Sequence, residues 1–94
     1  MLVERSELTA RPDVGDAFFT ALTEKGVPLL QSVDGVISVQ VGRGVENPLK
    51  FILLVGWKSM EAHTAYGGTP KSIELRGIMG PYVTGGAMEH FEIQ

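Results

Sequence analysis

The stretch WKSMEAHTAY, residues 57–66, holds three side chains that can do chemistry together. The His63 imidazole titrates near neutrality, so it suits a general base that takes a phenolic or enolic proton. The same histidine can equally be a backbone-bonded or half-exposed group. Tyr66 follows three residues later, so the two share one side of a helix. Its hydroxyl can bind a polar substrate group, with packing in the core as the other account. Trp57 either fills the core, its indole N–H on a backbone partner, or closes one end of a cavity.

The only other histidine is His90, in MEHFE. Strand alternation puts Met88, His90 and Glu92 on one face and Ala87, Glu89, Phe91 and Ile93 on the other. The Phe91 set is expected to face the helices, which leaves His90 a structural position at the rim or against a partner sheet. A zinc or iron site needs at least three convergent ligands. Two histidines far apart in the chain, with no short ligand spacing around either, point to no metal. The Gly pairs in GRG and GG lack the strand, loop and helix order of a phosphate cradle.

Composition narrows the function classes. The chain has 94 residues, 44% hydrophobic and 20% charged, with a net charge of −3. That reads as one globular domain over residues 1–94, able to fold alone but with little margin. Eight Lys and Arg residues form no basic stripe, so neither nucleic acid nor a membrane surface is an expected partner. No cysteine is present, which excludes disulfides, thiolate metal sites and cysteine nucleophiles. Glu4, Arg5 and Glu7 break up the first residues, so MLVERSEL is no signal-peptide core. No run approaches the roughly 18–20 apolar residues of a membrane span. A soluble, cytoplasmic protein is the expectation.

The elements that position these side chains follow from periodicity and breakers. Residues 1–8 read as a first strand. Pro12 and Asp13 open a helix over 13–33, with Val14, Phe18, Ala21, Leu22 and Leu29 at helical spacing and a kink or break at Gly26 and Pro28. Asp34–Gly35 is a turn, 36–41 a second strand, GRGVENP a hairpin connection and 51–57 a third strand. Ser59 caps a short helix that ends at Gly67–Gly68, and Thr69–Pro70 starts another with Leu75, Ile78, Met79 and Tyr82 as its buried stripe, Gly80–Pro81 ending or loosening it so that Tyr82 is expected just past its last turn. Residues 87–93 close the chain as a fourth strand. The order is β-α-β-β-α-β, the ferredoxin-like α+β arrangement with a four-stranded antiparallel sheet and helices on one face.

The third strand, FILLVGW, is apolar on both alternate faces: Phe51, Leu53, Val55 and Trp57 on one, Ile52, Leu54 and Gly56 on the other. A strand that reads as a continuous hydrophobic run is expected to be buried on both sides. A lone sheet would leave the second side bare, so a homodimer through sheet packing is expected.

These stretches resemble the antibiotic biosynthesis monooxygenase domain family, the dimeric α+β-barrel proteins. The matching residues are 34–36, 40–48, 51–64, 68–70, Arg76, 80–82 and 89–91, which span almost the whole chain. The resemblance implies a ligand cavity between sheet and helices in each subunit of a dimeric barrel. It also implies that Trp57 is the tryptophan lining that cavity and His63 the histidine of the W-x-S-x-E-A-H version of the motif. The haem-degrading branch of the family carries a further histidine where Arg76 stands here, and an asparagine in the first strand that this chain lacks, so haem chemistry is not expected.

The function implied is a monooxygenase without metal, flavin or other cofactor. Its substrate is a small electron-rich aromatic or quinol, which once deprotonated can give an electron to oxygen itself. His63 is then the catalytic base, and Trp57 and Tyr66 bind the substrate in an apolar cavity. A non-catalytic small-molecule binding protein and an oxygen-independent isomerase or cyclase are the alternatives on the same fold.

Overall fold

The computed structural model describes residues 1–94. Strands β1 (Leu2–Ala10), β2 (Val36–Arg43), β3 (Lys50–Trp57) and β4 (Val83–Glu92) form one sheet in the order β2-β3-β1-β4. Every neighbouring pair is antiparallel. Helices α1 (Gly15–Ala21) and α2 (Val27–Gln31) link β1 to β2, and α3 (Met60–Tyr66) and α4 (Pro70–Met79) link β3 to β4. This is the ferredoxin-like α+β topology that the order of sequence signals predicts.

The first helical run does not break where Gly26 and Pro28 stand. It widens instead into one π-helical turn, Leu22–Gly26, and continues into α2. Pro28 has no N–H to give and its ring crowds the carbonyl four residues back, and a widened turn relieves both faults. Gly26 is buried there: a Cβ on it would meet Leu22 Cδ1 at 3.1 Å and Leu75 Cδ1 at 3.5 Å, so the bare backbone lets this turn lie against α4.

Two apolar clusters hold the helices on the sheet. One joins Phe18 and Leu22 to Phe51 and Ala10, with the Phe18 and Phe51 rings edge to face at 4.9 Å. The other joins Leu30, Val33 and Leu75 to Leu53, Val55 and Trp57. Alternate residues of β3 therefore all point into the helical side, as its pattern predicts. Tyr82 lies past the end of α4 and packs on Phe18 rather than extending the stripe of that helix.

The other side of β3 faces out of the single chain. Ile52 and Leu54 are half-buried, and ion pairs surround them: Glu7 with Lys50 at 2.9 Å and with Arg5 at 3.3 Å, and Arg5 with Glu89 at 3.8 Å. Within one chain this outer face is a mixed apolar and charged surface.

The phase of β4 is also the reverse of the expected one. Glu4 pairs with Val55 on one side and with His90 on the other, and Val3 pairs with Phe91. His90 thus lies on the helical side, and Phe91 points outward and is 43% exposed. Apolarity misleads here because the outer face itself carries Ile52, Leu54 and Phe91, so the most hydrophobic residue of β4 need not face the helices.

Gly35 sets the approach of α3 to the sheet. Its φ is +92°, and a Cβ there would come within 2.6 Å of the Ala62 Cβ. Gly35→Ala combines a left-handed backbone with that collision. It is expected to cost about 1–3 kcal/mol of stability in urea denaturation, and to shift the amide resonances of α3 in the folded protein.

Candidate active site

The site begins with a charge on the wrong side of a strand. Leu2, Glu4, Ser6 and Leu8 alternate onto the helical face of β1, so a carboxylate and a hydroxyl enter the core. Glu4 is 8% exposed and Ser6 9%. A buried carboxylate is tolerated only when donors surround it. Ser6 Oγ donates to Glu4 Oε2 at 2.8 Å, and Trp57 Nε1–H donates to Glu4 Oε1 at 3.0 Å. The indole N–H that was expected to find a backbone partner finds this carboxylate instead. His63 Nε2 stands 3.3 Å from the same Oε1.

Helix α3 delivers His63 and Tyr66. Ser59 caps it as the sequence predicts, its hydroxyl accepting from the Ala62 N–H at 3.1 Å. The cap follows directly on the end of β3, so the first turns of α3 sit over Trp57. The ring centroids of Trp57 and His63 are 5.0 Å apart, and those of Trp57 and Tyr66 5.6 Å. The three residues that the sequence singled out are therefore packed together.

His90 joins them from β4. Its Nε2 lies 2.8 Å from His63 Nδ1, a hydrogen bond between the two imidazoles. Glu4, His63 and His90 each offer one metal-ligand atom, and these atoms lie within 4.8 Å of one another. The third convergent ligand that sequence spacing did not supply comes from β1. Glu4 was missed altogether and His90 was placed on the wrong face. A signal for Glu4 existed: two polar residues in phase with Leu2 and Leu8 on an inward face require partners inside.

Burial lowers the pKa of His63 below the usual histidine value. The Glu4 carboxylate opposes that shift and His90 adds to it. Its imidazole is consequently neutral near pH 7. Burial likewise raises Tyr66 above the ordinary phenol range, with the Ser72 hydroxyl beside it opposing. The Tyr66 hydroxyl is buried and makes no hydrogen bond of good geometry, Ser72 included.

A cavity of about 280 Å³ opens at this cluster. Glu4, Leu53, His63, Tyr66, Arg76 and Met88 line it. A larger hollow of about 450 Å³ lies on the other side of Tyr66, between Val33, Ala62, Ala65 and Pro70. It touches neither His63 nor Glu4, so the chemistry belongs to the smaller one.

The model of the family described as antibiotic biosynthesis monooxygenase matches residues 1–75. The chain belongs to that family. The matched part contains Glu4, Trp57, His63 and Tyr66, while His90 lies beyond it. Solved structures share the family fold. A Bordetella bronchiseptica protein named as a candidate antibiotic biosynthesis monooxygenase superposes with a TM-score of 0.91 at 19% identity, covering 99% of this chain and 96% of that one. One from Deinococcus radiodurans, similarly named, gives 0.84 at 16% identity over 100% and 93%. One from Nitrosomonas europaea gives 0.82 at 16% over 98% and 97%. At such identities these likenesses show the fold alone. No curated protein matches the chain. No helix of the protein is long and apolar enough to cross a membrane.

The hydrogen bonding around Glu4 and Tyr66 predicts opposite outcomes for two deletions of a hydroxyl. Tyr66→Phe removes an unpartnered group and is expected to leave stability within about 0.5 kcal/mol of the parent. Ser6→Ala removes a donor from a buried carboxylate and is expected to cost about 1–3 kcal/mol. Urea denaturation of both variants checks the pair.

Proposed function

We propose that this member of the family is a monooxygenase that oxidises a small electron-rich aromatic or quinol with molecular oxygen, without a cofactor. One observation carries the reading: the His63 imidazole, packed on Trp57 and kept neutral by burial, lines the same cavity as Tyr66, whose buried hydroxyl has no partner within the protein. His63 is the general base. Tyr66 donates to the substrate oxygen on which negative charge develops, and Trp57 is the wall behind His63. The buried Glu4 carboxylate stabilises the imidazolium that His63 becomes.

The chemistry balances for a methylene activated by flanking aromatic rings and a carbonyl. His63 takes one proton, and the resulting carbanion gives its electrons to oxygen. A C–O bond forms, the second C–H and the O–O bond break, and a ketone and one water result. Substrate carbon is oxidised and dioxygen is reduced, so no outside reductant is needed.

Oxygen uptake by metal-stripped protein, measured against a panel of anthrones, hydroquinones and catechols, tests the reading. Uptake is expected for at least one class, with His63→Ala lowering kcat about 10²–10⁴-fold and Tyr66→Phe lowering it with stability unchanged. Turnover that is indifferent to His63→Ala removes the base assignment. Absence of uptake across the panel overturns the oxidation. Product formed under nitrogen would assign the site to isomerisation or cyclisation instead.

The outer face of the sheet is the proposed dimer surface. Ile52 and Leu54 lie there half-buried, with Phe91 exposed beside β1. Their apolar area, ringed by Arg5, Glu7, Lys50 and Glu89, suits a second copy of the chain. Sedimentation equilibrium is expected to give twice the chain mass, and Leu54→Asp to give the single chain with the fold retained by circular dichroism.

A further inference from the structure

We propose that Glu4, His63 and His90 form a binding site for one divalent transition-metal ion of the zinc, cobalt, nickel and copper class. The proposal does not rest on the oxidation reading; it stands on the ligand geometry alone.

Two imidazoles and one carboxylate are the ligand types this class of ion prefers, whereas magnesium and calcium favour all-oxygen sites. Their donor atoms already converge. With bonds of about 2.0–2.1 Å, neighbouring ligand atoms stand about 2.8–3.0 Å apart around an octahedral ion and about 3.3–3.4 Å apart around a tetrahedral one. His63 Nδ1 and His90 Nε2 are 2.8 Å apart, and the three donor atoms lie within 4.8 Å of one another. His63 now turns Nε2 to Glu4 and Nδ1 to His90, so an ion takes one of these nitrogens and the ring turns to present it. Without a metal the two imidazoles share a single proton in a hydrogen bond, and an ion displaces that proton.

The supporting structure is rigid and already oriented. Glu4 and His90 are direct cross-strand partners in the β1–β4 ladder. His63 sits on α3, whose start is fixed by the Ser59 cap directly after β3. Around the carboxylate stand the hydrogen-bond partners that a metal ligand requires, Ser6 Oγ on Oε2 and Trp57 Nε1–H on Oε1.

Charge points the same way. Glu4 is buried, and its only ion-pairing neighbour is His63; the Arg5, Arg43 and Lys50 ion pairs lie elsewhere, and Arg76 lines the cavity without pairing with the carboxylate. A buried carboxylate beside two imidazoles, with no Lys or Arg at ion-pair distance, is a site that a cation can complete. The adjoining cavity of about 280 Å³ leaves coordination positions for water or a ligand oxygen. Three protein ligands with an open position describe a reactive or exchangeable ion rather than a closed structural one.

The test is a titration of metal-stripped full-length protein with Co²⁺, read by visible d–d absorption, and with Zn²⁺, read by calorimetry. One ion per chain is expected, with Co²⁺ bands of a low-coordinate nitrogen and oxygen site. His90→Ala and Glu4→Gln are each expected to weaken binding about 100-fold or more, and Ser6→Ala about 10-fold. Circular dichroism of each variant is recorded alongside, and His90→Gln replaces His90→Ala if the latter does not fold. Binding that survives loss of His90 and of Glu4, or no saturable binding by the parent protein, overturns the site.

Discussion

The constraint on which the rest of the structure depends is the burial of the Glu4 carboxylate. A charge on the inward face of a central strand is costly unless donors meet its lone pairs. Here its neighbours come from three different elements, with Ser6 and Trp57 as the donors. Ser6 lies two residues along on the same face of β1, Trp57 ends β3, and His63 enters from α3. Satisfying one carboxylate therefore fixes the indole orientation, the position of α3 over the end of β3, and the imidazole edge that meets His90. A purely apolar residue at position 4 would pack on Val55 equally well but would leave none of these three orientations specified.

The helices answer a second requirement, which is to cover the sheet without filling the space above Glu4. The Phe18–Phe51 cluster and the Leu30–Val33–Trp57 cluster grip the sheet at two places. Leu75 of α4 reaches the sheet at Leu53 and Val55, and the cavity opens beside it. Gly67 and Gly68 form the link there, and Ser72 rather than an apolar residue faces inward from α4. The cavity is thus a consequence of small residues at the α3–α4 junction, and its chemistry a consequence of what β1 and β4 present beneath it.

Much of this was legible in the chain. Turn residues, the Ser59 and Thr69 caps and the alternation of β3 led to the topology, because each is a local rule obeyed locally. WKSMEAHTAY yielded the Trp57, His63 and Tyr66 group for the same reason: a strand end, a cap and a helical spacing fix their mutual placement. The π-helical turn was not legible, since a proline in a helical run signals a break as readily as a widened turn. Glu4 and His90 were hidden for a different reason. They belong to strands at opposite ends of the chain, and only the register Glu4 to His90 unites them. Register is a tertiary fact, and a shift of one residue reverses every side chain. Phe91 drew the inward assignment because hydrophobicity cannot tell a core from a second apolar face.

What the cluster does is governed by how its negative charge is balanced. With no basic side chain paired to Glu4, the compensating charge is exchangeable: a proton on the histidine pair or a cation between them. Burial disfavours a standing imidazolium at His63, so the resting pair is ready to accept a proton. Once a proton arrives, Glu4 at 3.3 Å stabilises it, and His90 offers a second nitrogen over which it can be held. The same lone pairs and the same charge deficit make the pair a ligand set. Proton acceptance and metal binding are thus competing uses of one electrostatic arrangement.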